Sequence, residues 1–265
     1  MFPANEPLIR MSPRTPSVSV VIPALNEAGN IGRLVEETFA AVPAALLREV
    51  IVVDDGSTDA TADEIKALIA AHPGLRLIRH DRPNGQSAAM RTGILAATGD
   101  VIATMDGDGQ NDPTDIPRLV AKIALAGRDG PALAGGVRTS RKAGSSKRWA
   151  SKFANWLRDA LLKDDCPDTG CGIKAYRRDA YLLLPFFHGQ HRYLPALFLS
   201  YGHKVTYEPV NDRPRTAGVS KYTNLGRALI GIYDLFGVRW IRNRTRRPVI
   251  VETAGASKPP LDKSA

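Results

Sequence analysis

The chain has 265 residues, of which 43% are hydrophobic, 24% charged and 6% aromatic, enough apolar material for a folded core and too much for wholesale disorder, a collagen-like rod or a coiled coil. Lysine and arginine total 36 against 27 acidic residues, giving a net charge of +9 and a pI near 9.7, a balance that favours anionic partners. The longest apolar runs, Tyr181–Phe187 and Ala228–Gly237, are broken by Pro185 and Asp234 and fall short of the roughly 18 to 20 residues that cross a bilayer; with no basic start or apolar core of a signal peptide near Met1, the expectation is a cytoplasmic chain that does not span a membrane.

Val18–Ile22 is a β-branched run that predicts a strand, and after Pro23 the stripe Ile31, Leu34, Val35, Thr38, Phe39 and Val42 has helical spacing. The alternation repeats: Glu49–Val53 predicts a strand, Ser57–Ala71 a helix opened by Ser57 and Thr58, Leu75–His80 a strand, Gln86–Ala97 an alanine-rich helix and Asp100–Met105 a fourth strand. Strands separated by amphipathic helices imply an α/β domain with a parallel sheet covered on both faces, here over about Pro16–Leu125. Beyond Ala126 the spacing predicts a strand at Pro131–Val137, a Gly/Ser loop dense in Arg and Lys at Arg138–Lys152, a helix at Trp149–Leu162, a strand at Gly172–Tyr176, a helix at Tyr193–Tyr201, a strand at His203–Val210 and a last helix at Asn224–Val238. Residues 1–15 and 253–265, rich in Pro, Ser, Ala and Lys, predict mobile tails, which leaves a main domain at 16–222 and a basic amphipathic region at 223–252. Cys166 and Cys171 are too few for a disulfide framework or a four-ligand zinc site, so two packed thiols are expected.

Ligands of parallel α/β sheets gather beyond the carboxyl ends of the strands, and here those ends are acidic. The first strand runs into Pro23-Ala-Leu-Asn-Glu27, the second into Asp54-Asp55-Gly-Ser-Thr-Asp59 and the fourth into Asp106-Gly-Asp108-Gly-Gln110. Carboxylates crowded on one edge repel unless a cation or a hydrogen-bonding ligand compensates. Asp106 and Asp108, with Gln110 beside them, suit a hard divalent cation such as Mg²⁺ or Mn²⁺ that keeps waters and touches substrate phosphates. Helix capping accounts for Ser57 and Asp59, but not for Asp54 at the end of an apolar strand. The first strand-to-helix turn lacks Gly-x-Gly-x-x-Gly, and no P-loop string occurs, which disfavours NAD and P-loop chemistry. An aspartyl-phosphate phosphatase, with Asp-x-Asp after an apolar strand, is the alternative from another class, although its acidic pair normally follows the nucleophile strand. A non-catalytic scaffold is the third.

Val18-Ser-Val-Val-Ile-Pro-Ala-Leu-Asn-Glu27, Val52-Val-Asp-Asp-Gly-Ser-Thr-Asp59, Met105-Asp-Gly-Asp-Gly-Gln110, Asp168-Thr-Gly-Cys-Gly-Ile-Lys174, His191-Arg-Tyr-Leu-Pro195 and Arg215-Thr-Ala-Gly-Val-Ser-Lys221 occur in this order. Over about Ser17–Arg239 the chain resembles the family-2 glycosyltransferases of the GT-A fold, and among them the polyprenyl-phosphate sugar transferases, of which dolichol-phosphate mannose synthase is the known type. The resemblance implies a Rossmann-like, mostly parallel sheet flanked by helices, with a C-terminal region near acceptor and membrane. It implies an inverting, metal-dependent transfer from a nucleotide-diphosphate sugar, GDP-mannose or a UDP-hexose, to a polyprenyl phosphate at the cytoplasmic membrane face, with transfer to a glycan or protein hydroxyl as the alternative. Pro23, Leu25, Glu27, Asp54 and Asp55 would hold base and ribose, Leu25 standing where mannose synthases commonly have Tyr. Asp106, Gly107 and Asp108 match the DxD motif and, with Gln110, would hold the metal. Arg138 matches a phosphate-facing arginine, Arg215 and Lys221 match basic residues of a closing loop, and Asp168 occupies the place of the candidate catalytic aspartate.

The run Arg239-Trp-Ile-Arg242-Asn-Arg244-Thr-Arg246-Arg247 abuts an apolar helix containing Ile230, Tyr233, Phe236 and Trp240. Aromatic and basic residues together suit an anionic membrane surface, and no recognised nucleic-acid module surrounds them. The expected partners are therefore a membrane met peripherally or through an integral-membrane protein, and no nucleic acid.

Overall fold

The structure, a computed structural model, describes residues 16–124, 130–139, 158–214 and 224–246. Seven strands, β1 (Val18–Ala24), β2 (Leu47–Asp54), β3 (Leu75–Arg79), β4 (Val101–Thr104), β5 (Pro131–Arg138), β6 (Lys174–Arg177) and β7 (Lys204–Val210), form one sheet in the order β3-β2-β1-β4-β6-β5-β7. The pairs β1/β2, β1/β4, β2/β3 and β5/β7 are parallel, whereas β6 runs antiparallel to both β4 and β5. The helices are α1 (Ile31–Ala41), α2 (Thr61–Ile69), α3 (Gln86–Ala96), α4 (Ile116–Ala124), α5 (Arg178–Leu182), α6 (Leu194–Ser200) and α7 (Asn224–Arg244).

The central strands are apolar on both faces because helices cover both. Val18, Val20 and Ile22 of β1 point into one core with Val50 and Val52, Val101 and Ala103, Ile31 and Leu34 of α1, Ile65 of α2 and Leu119 of α4. Val21, Ile51, Val53 and Ile102 point into the other with Met90 and Ile94 of α3, Tyr181 of α5 and Phe198 of α6. Helix α3 lies close against the sheet: a Cβ on its Gly93 would fall 2.5 Å from a Val21 methyl and 3.0 Å from one of Val53, so any larger side chain there forces helix and sheet apart.

Several boundaries differ from expectation for local reasons. Helix α2 starts at Thr61 rather than Ser57, because the Ser57 amide donates to Asp54 Oδ1 (2.8 Å) and Gly56 takes φ +77°, so the chain turns before Asp59 Oδ1 accepts the Thr61 amide at 3.0 Å. Helices α4 and α5 were not expected. The Asp112 carboxylate accepts the Thr114 amide, Pro113 opens a short 3-10 turn, and Ile116, Leu119, Val120 and Ile123 carry the buried stripe of α4. The last helix continues past Val238 to Arg244. The expected tails, residues 140–152 of the basic loop and residues 149–157 of the expected helix lie outside the described residues, while 158–162 are helical. Both cysteines are free thiols, and burial pushes Cys171 up to about 11.

At the amino ends of the central strands Glu49, 5% exposed, accepts hydrogen bonds from Ser19 Oγ (2.9 Å), the Thr98 amide (2.7 Å), Thr98 Oγ1 (2.7 Å) and Arg76 (2.6 Å). Burial pushes this carboxyl up, but the bonds from Arg76, Thr98 and Ser19 outweigh it and hold it below the ordinary value of 4.5. A carboxyl held low contributes stability that is complete above its ordinary value and lost as pH falls through its folded one. Glu49→Gln should therefore lose about 1 to 3 kcal/mol in urea unfolding at pH 7, with the difference from wild type shrinking below pH 4.5; a constant difference across pH would show that packing, not charge, is what the substitution removes.

Candidate functional site

The carboxyl ends of β1, β2, β3 and β4 share one edge of the sheet. Strand β5 ends there at Arg138, and antiparallel β6 brings its first residue, Lys174, opposite Thr104 of β4. The segment just before Lys174 thus descends onto Met105-Asp106-Gly107-Asp108, which a seventh parallel strand would not do.

Asp106 is the centre of this edge. Its Oδ1 accepts from Gln86 Nε2 at 2.7 Å, its amide donates to Asn111 Oδ1 at 2.9 Å, and its Oδ2 lies against Gly172, where a Cβ would collide with it. Burial raises the Asp106 carboxyl above the usual range, and the neighbouring Asp108 charge raises it further; Lys174, the Gln86 bond and Arg138 oppose them without cancelling them. Asp108 accepts the Gln110 amide at 3.1 Å, and the Gln110 carbonyl accepts the Arg213 amide at 2.9 Å, so Gln110 is tied in by its main chain on both sides. Gly107 packs against the Pro23 carbonyl. No group of three or more His, Cys, Asp or Glu side chains forms a metal cage among the described residues. Asp106 and Asp108 do fit a cation that completes its shell with water and substrate oxygens, because two carboxylates two residues apart at this edge repel each other and such an ion would offset that repulsion.

Arg138 and Asp168, expected in separate roles, form one bidentate ion pair: Nε to Oδ2 at 2.7 Å and Nη2 to Oδ1 at 2.8 Å, with the carboxylate 7% and the guanidinium 17% exposed. The Asp168 bond raises the Arg138 pKa further above its already high value. Asp168 also accepts the Gly170 amide at 3.2 Å, so it caps its own turn while clamping the arginine.

Asp54 and Asp55 are buried with internal partners. Asp54 binds the Ser57 amide through Oδ1 and meets Arg79 Nε at 2.9 Å through Oδ2. Asp55 accepts the amides of Asn84 (2.9 Å) and Gly85 (2.7 Å) and lies 2.7 Å from His80 Nδ1, whose Nε2 is 3.0 Å from Thr92 Oγ1. Asp55 therefore shapes the 80–85 turn that delivers Gln86 to Asp106. Pro23 pairs with Val53 in the sheet, Leu25 and Glu27 are half-buried at the same edge, and the Glu27 amide donates to Thr61 Oγ1. Arg215 and Lys221 lie outside the described residues.

Gln86, Asn111, Gly172 and Lys174 escaped the sequence reading as site residues, as did Ser87 and His191. Ser87 Oγ accepts the amide of Gly189 (3.1 Å) and lies 2.6 Å from His191 Nδ1, tying the 189–191 turn to the start of α3. The one signal that could have found Gln86 was its position just after Pro83-Asn84-Gly85, a turn at the carboxyl edge.

The model of the family described as Glycosyl transferase family 2 matches residues 19–183. The dodecaprenyl-phosphate galacturonate synthase of Rhizobium johnstonii is 36% identical over 236 residues, which are 87% of this chain and 69% of that protein. The undecaprenyl-phosphate 4-deoxy-4-formamido-L-arabinose transferase of Salmonella paratyphi A is 35% identical over 220 residues, 82% of this chain and 66% of that protein. The chain thus spans about two thirds of the length of these relatives. The fold is shared with glucosyl-3-phosphoglycerate synthase of Mycobacterium tuberculosis solved with Mn²⁺, UDP and glucosyl-3-phosphoglycerate, at TM-score 0.64 and 22% identity over 86% of this chain and 80% of that one. The same synthase with Mg²⁺ and UDP matches at TM-score 0.64, covering 86% and 79%.

Burial and the Asp108 charge disfavour the charged form of Asp106, so a neutral amide there should relieve strain wherever the carboxyl is ionised. Asp106→Asn should raise the melting temperature of the metal-free protein by about 2 to 4 °C at pH 8, the gap closing as pH falls toward 3.8 where the native carboxyl is protonated. The same variant should lose any thermal shift that Mn²⁺ or Mg²⁺ gives wild type. A variant less stable than wild type at pH 8 would mean that the carboxylate stabilises this edge.

Proposed function

Because the chain belongs to glycosyl transferase family 2, we propose that it transfers a sugar with inversion from a nucleotide-diphosphate donor, UDP-hexose or GDP-mannose in class, to a polyprenyl phosphate. The observation that carries this reading is the charge-strained Asp106/Asp108 pair at the end of β4, in a chain whose relatives over 82% or more of its length act on dodecaprenyl or undecaprenyl phosphate.

Asp106 and Asp108, with Gln110 beside them, would hold Mg²⁺ or Mn²⁺, which supplies positive charge to the leaving diphosphate. Gln86, Asn111 and Lys174 keep Asp106 in place before donor arrives, so little reorganisation is left for the reaction itself. Pro23, Leu25 and Glu27 would line the base and ribose side, with Asp54 and Asp55 shaping that wall from behind through the turns they hold. Arg215 and Lys221 would close over the phosphates. Arg138, fixed by its carboxylate clamp, would face the donor phosphates or the acceptor, which makes Asp168 a positioning residue. An acceptor phosphate oxygen attacks the anomeric carbon, the bond to the diphosphate breaks, and the nucleoside diphosphate leaves with the electron pair. A phosphate monoester has a second pKa of about 6, so at neutral pH the acceptor needs no base.

Such an acceptor keeps its tail in a bilayer. No described helix is long and apolar enough to cross one, so we place the chain peripherally at the cytoplasmic face of a membrane, alone or held by an integral-membrane partner.

Purified protein incubated with a panel of sugar nucleotides, Mg²⁺ or Mn²⁺ and undecaprenyl phosphate should form a lipid-linked sugar with one donor; transfer only to glycan or protein hydroxyls would overturn the acceptor. Asp168→Asn should slow turnover by about 10- to 100-fold, the equivalent of one charged hydrogen bond, while the pH profile still follows acceptor ionisation near about 6. A loss of about 10² to 10⁴ that removes the pH dependence would make Asp168 a general base and the acceptor a hydroxyl.

A further inference from the structure

Eight large apolar side chains are exposed among the described residues, and six of them sit on two neighbouring pieces of chain. Tyr233 (82% exposed), Phe236 (57%) and Trp240 (62%) recur at i, i+3 and i+7 on the outer face of α7, with Ile232 beside them. Leu183 (66%) and Phe186 (43%) follow α5. The inner face of α7 is satisfied, since Leu235 and Val238 are buried in the core. Tyr193 donates to the Gly231 carbonyl at 2.8 Å, Phe187 packs on Tyr193 and Asp234 lies against Gly189, so the 185–193 loop and α7 form one surface. Its rim is cationic: Arg239, Arg244 and Arg246 are exposed, the Arg244 guanidinium is 5.9 Å from the Trp240 ring centre, and Arg91 lies 5.0 Å over Phe186. The one acid within 232–246, Asp234, faces the loop.

We propose that Tyr233, Phe236 and Trp240 of α7, together with Leu183 and Phe186, insert into the headgroup region of an anionic membrane while Arg239, Arg244 and Arg246 bind its phosphates. This rests on the lipid-acceptor reading above and names the surface that serves it. An apolar stripe with arginines snorkelling at its borders is the pattern of an interfacial helix, and each arginine near an anionic leaflet adds electrostatic attraction. A second copy is a poor occupant, because two-fold pairing of this surface sets arginine rows against each other. A membrane-spanning partner helix is poorer still, since arginine at bilayer depth is strongly disfavoured. The loop that carries Phe186 also holds Ser87 through Gly189 and His191, and Gln86 next to it binds Asp106. Docking here sets the Asp106 edge at a fixed height above the lipid phosphates, where the acceptor's own phosphate resides.

Wild-type protein, without donor or acceptor, should sediment with phosphatidylglycerol vesicles and much less with phosphatidylcholine alone. The triple variant Tyr233→Ser/Phe236→Ser/Trp240→Ser should lose roughly tenfold or more in partitioning with an unchanged circular dichroism spectrum, and Leu183→Ser/Phe186→Ser should lose part of it. As a check independent of that variant's folding, brominated lipid should quench wild type more than Trp240→Phe. Equal sedimentation of wild type and variants, no sedimentation of wild type, or a dimer-to-monomer change in the variants without an effect on vesicles would each overturn the proposal. Vesicle binding through this surface in a protein that makes no lipid-linked sugar would leave the surface standing and remove the acceptor reading; synthesis in detergent with no vesicle binding would do the reverse.

Discussion

A carboxylate at the end of a buried strand gives up part of the water that would stabilise its charge, and the architecture around Asp106 is the response to that deficit. Gln86 arrives from the first residue of α3, Lys174 from the start of β6 and Asn111 from the turn after β4, whose bridge to Asp212 joins it to the far side of the sheet. Gln86 and Lys174 act on the carboxylate while Asn111 holds the Asp106 main chain, and still the carboxyl's proton affinity stays high. The remaining imbalance is chemically useful: a site that resists its own negative charge binds an external cation more readily than one already neutralised from within.

The other acids of the edge show the contrast. Asp54, Asp55 and Asp168 stand at equivalent strand or turn ends, yet each is met by arginine, histidine or several backbone amides. Their charge is consumed in holding turns, and those turns position the groups that face a substrate. Proximity to the carboxyl edge therefore does not distinguish a ligand-binding acid from a scaffolding one; what does is the number and charge of the donors aimed at it.

This distinction decides what the sequence could disclose. Strands β1 and β2 were legible because burial on both faces leaves long β-branched runs, and the Asp106/Asp108 pair was legible because no fold requirement explains two acids two residues apart after such a run. The direction of β6 was not, since Lys174-Ala-Tyr-Arg177 reads the same whichever way it pairs, and with it went the approach of Gly172 to Asp106. Gln86 looked like one more residue of an alanine-rich helix until Asp55, some thirty residues earlier, was seen to fix the turn before it. Helix α4 is announced by Asp112, Pro113 and the Ile116–Ile123 stripe, but its nine residues are too short a window for the helical period to stand out from the acidic turn before it. Arg215 and Lys221 stand where the sequence left them, outside the described residues.

The Glu49 cluster lies at the opposite ends of the strands from Asp106, with the length of β1, about 20 Å at 3.3 Å per residue, between them. What resists unfolding and what recognises a sugar are thus housed at separate poles of one sheet. Loop positions at the carboxyl pole that the turn-holding acids do not engage can exchange residues with little effect on whether the chain folds, and a lineage built on this plan is free to acquire new donors and acceptors by altering one pole while leaving the other as it was.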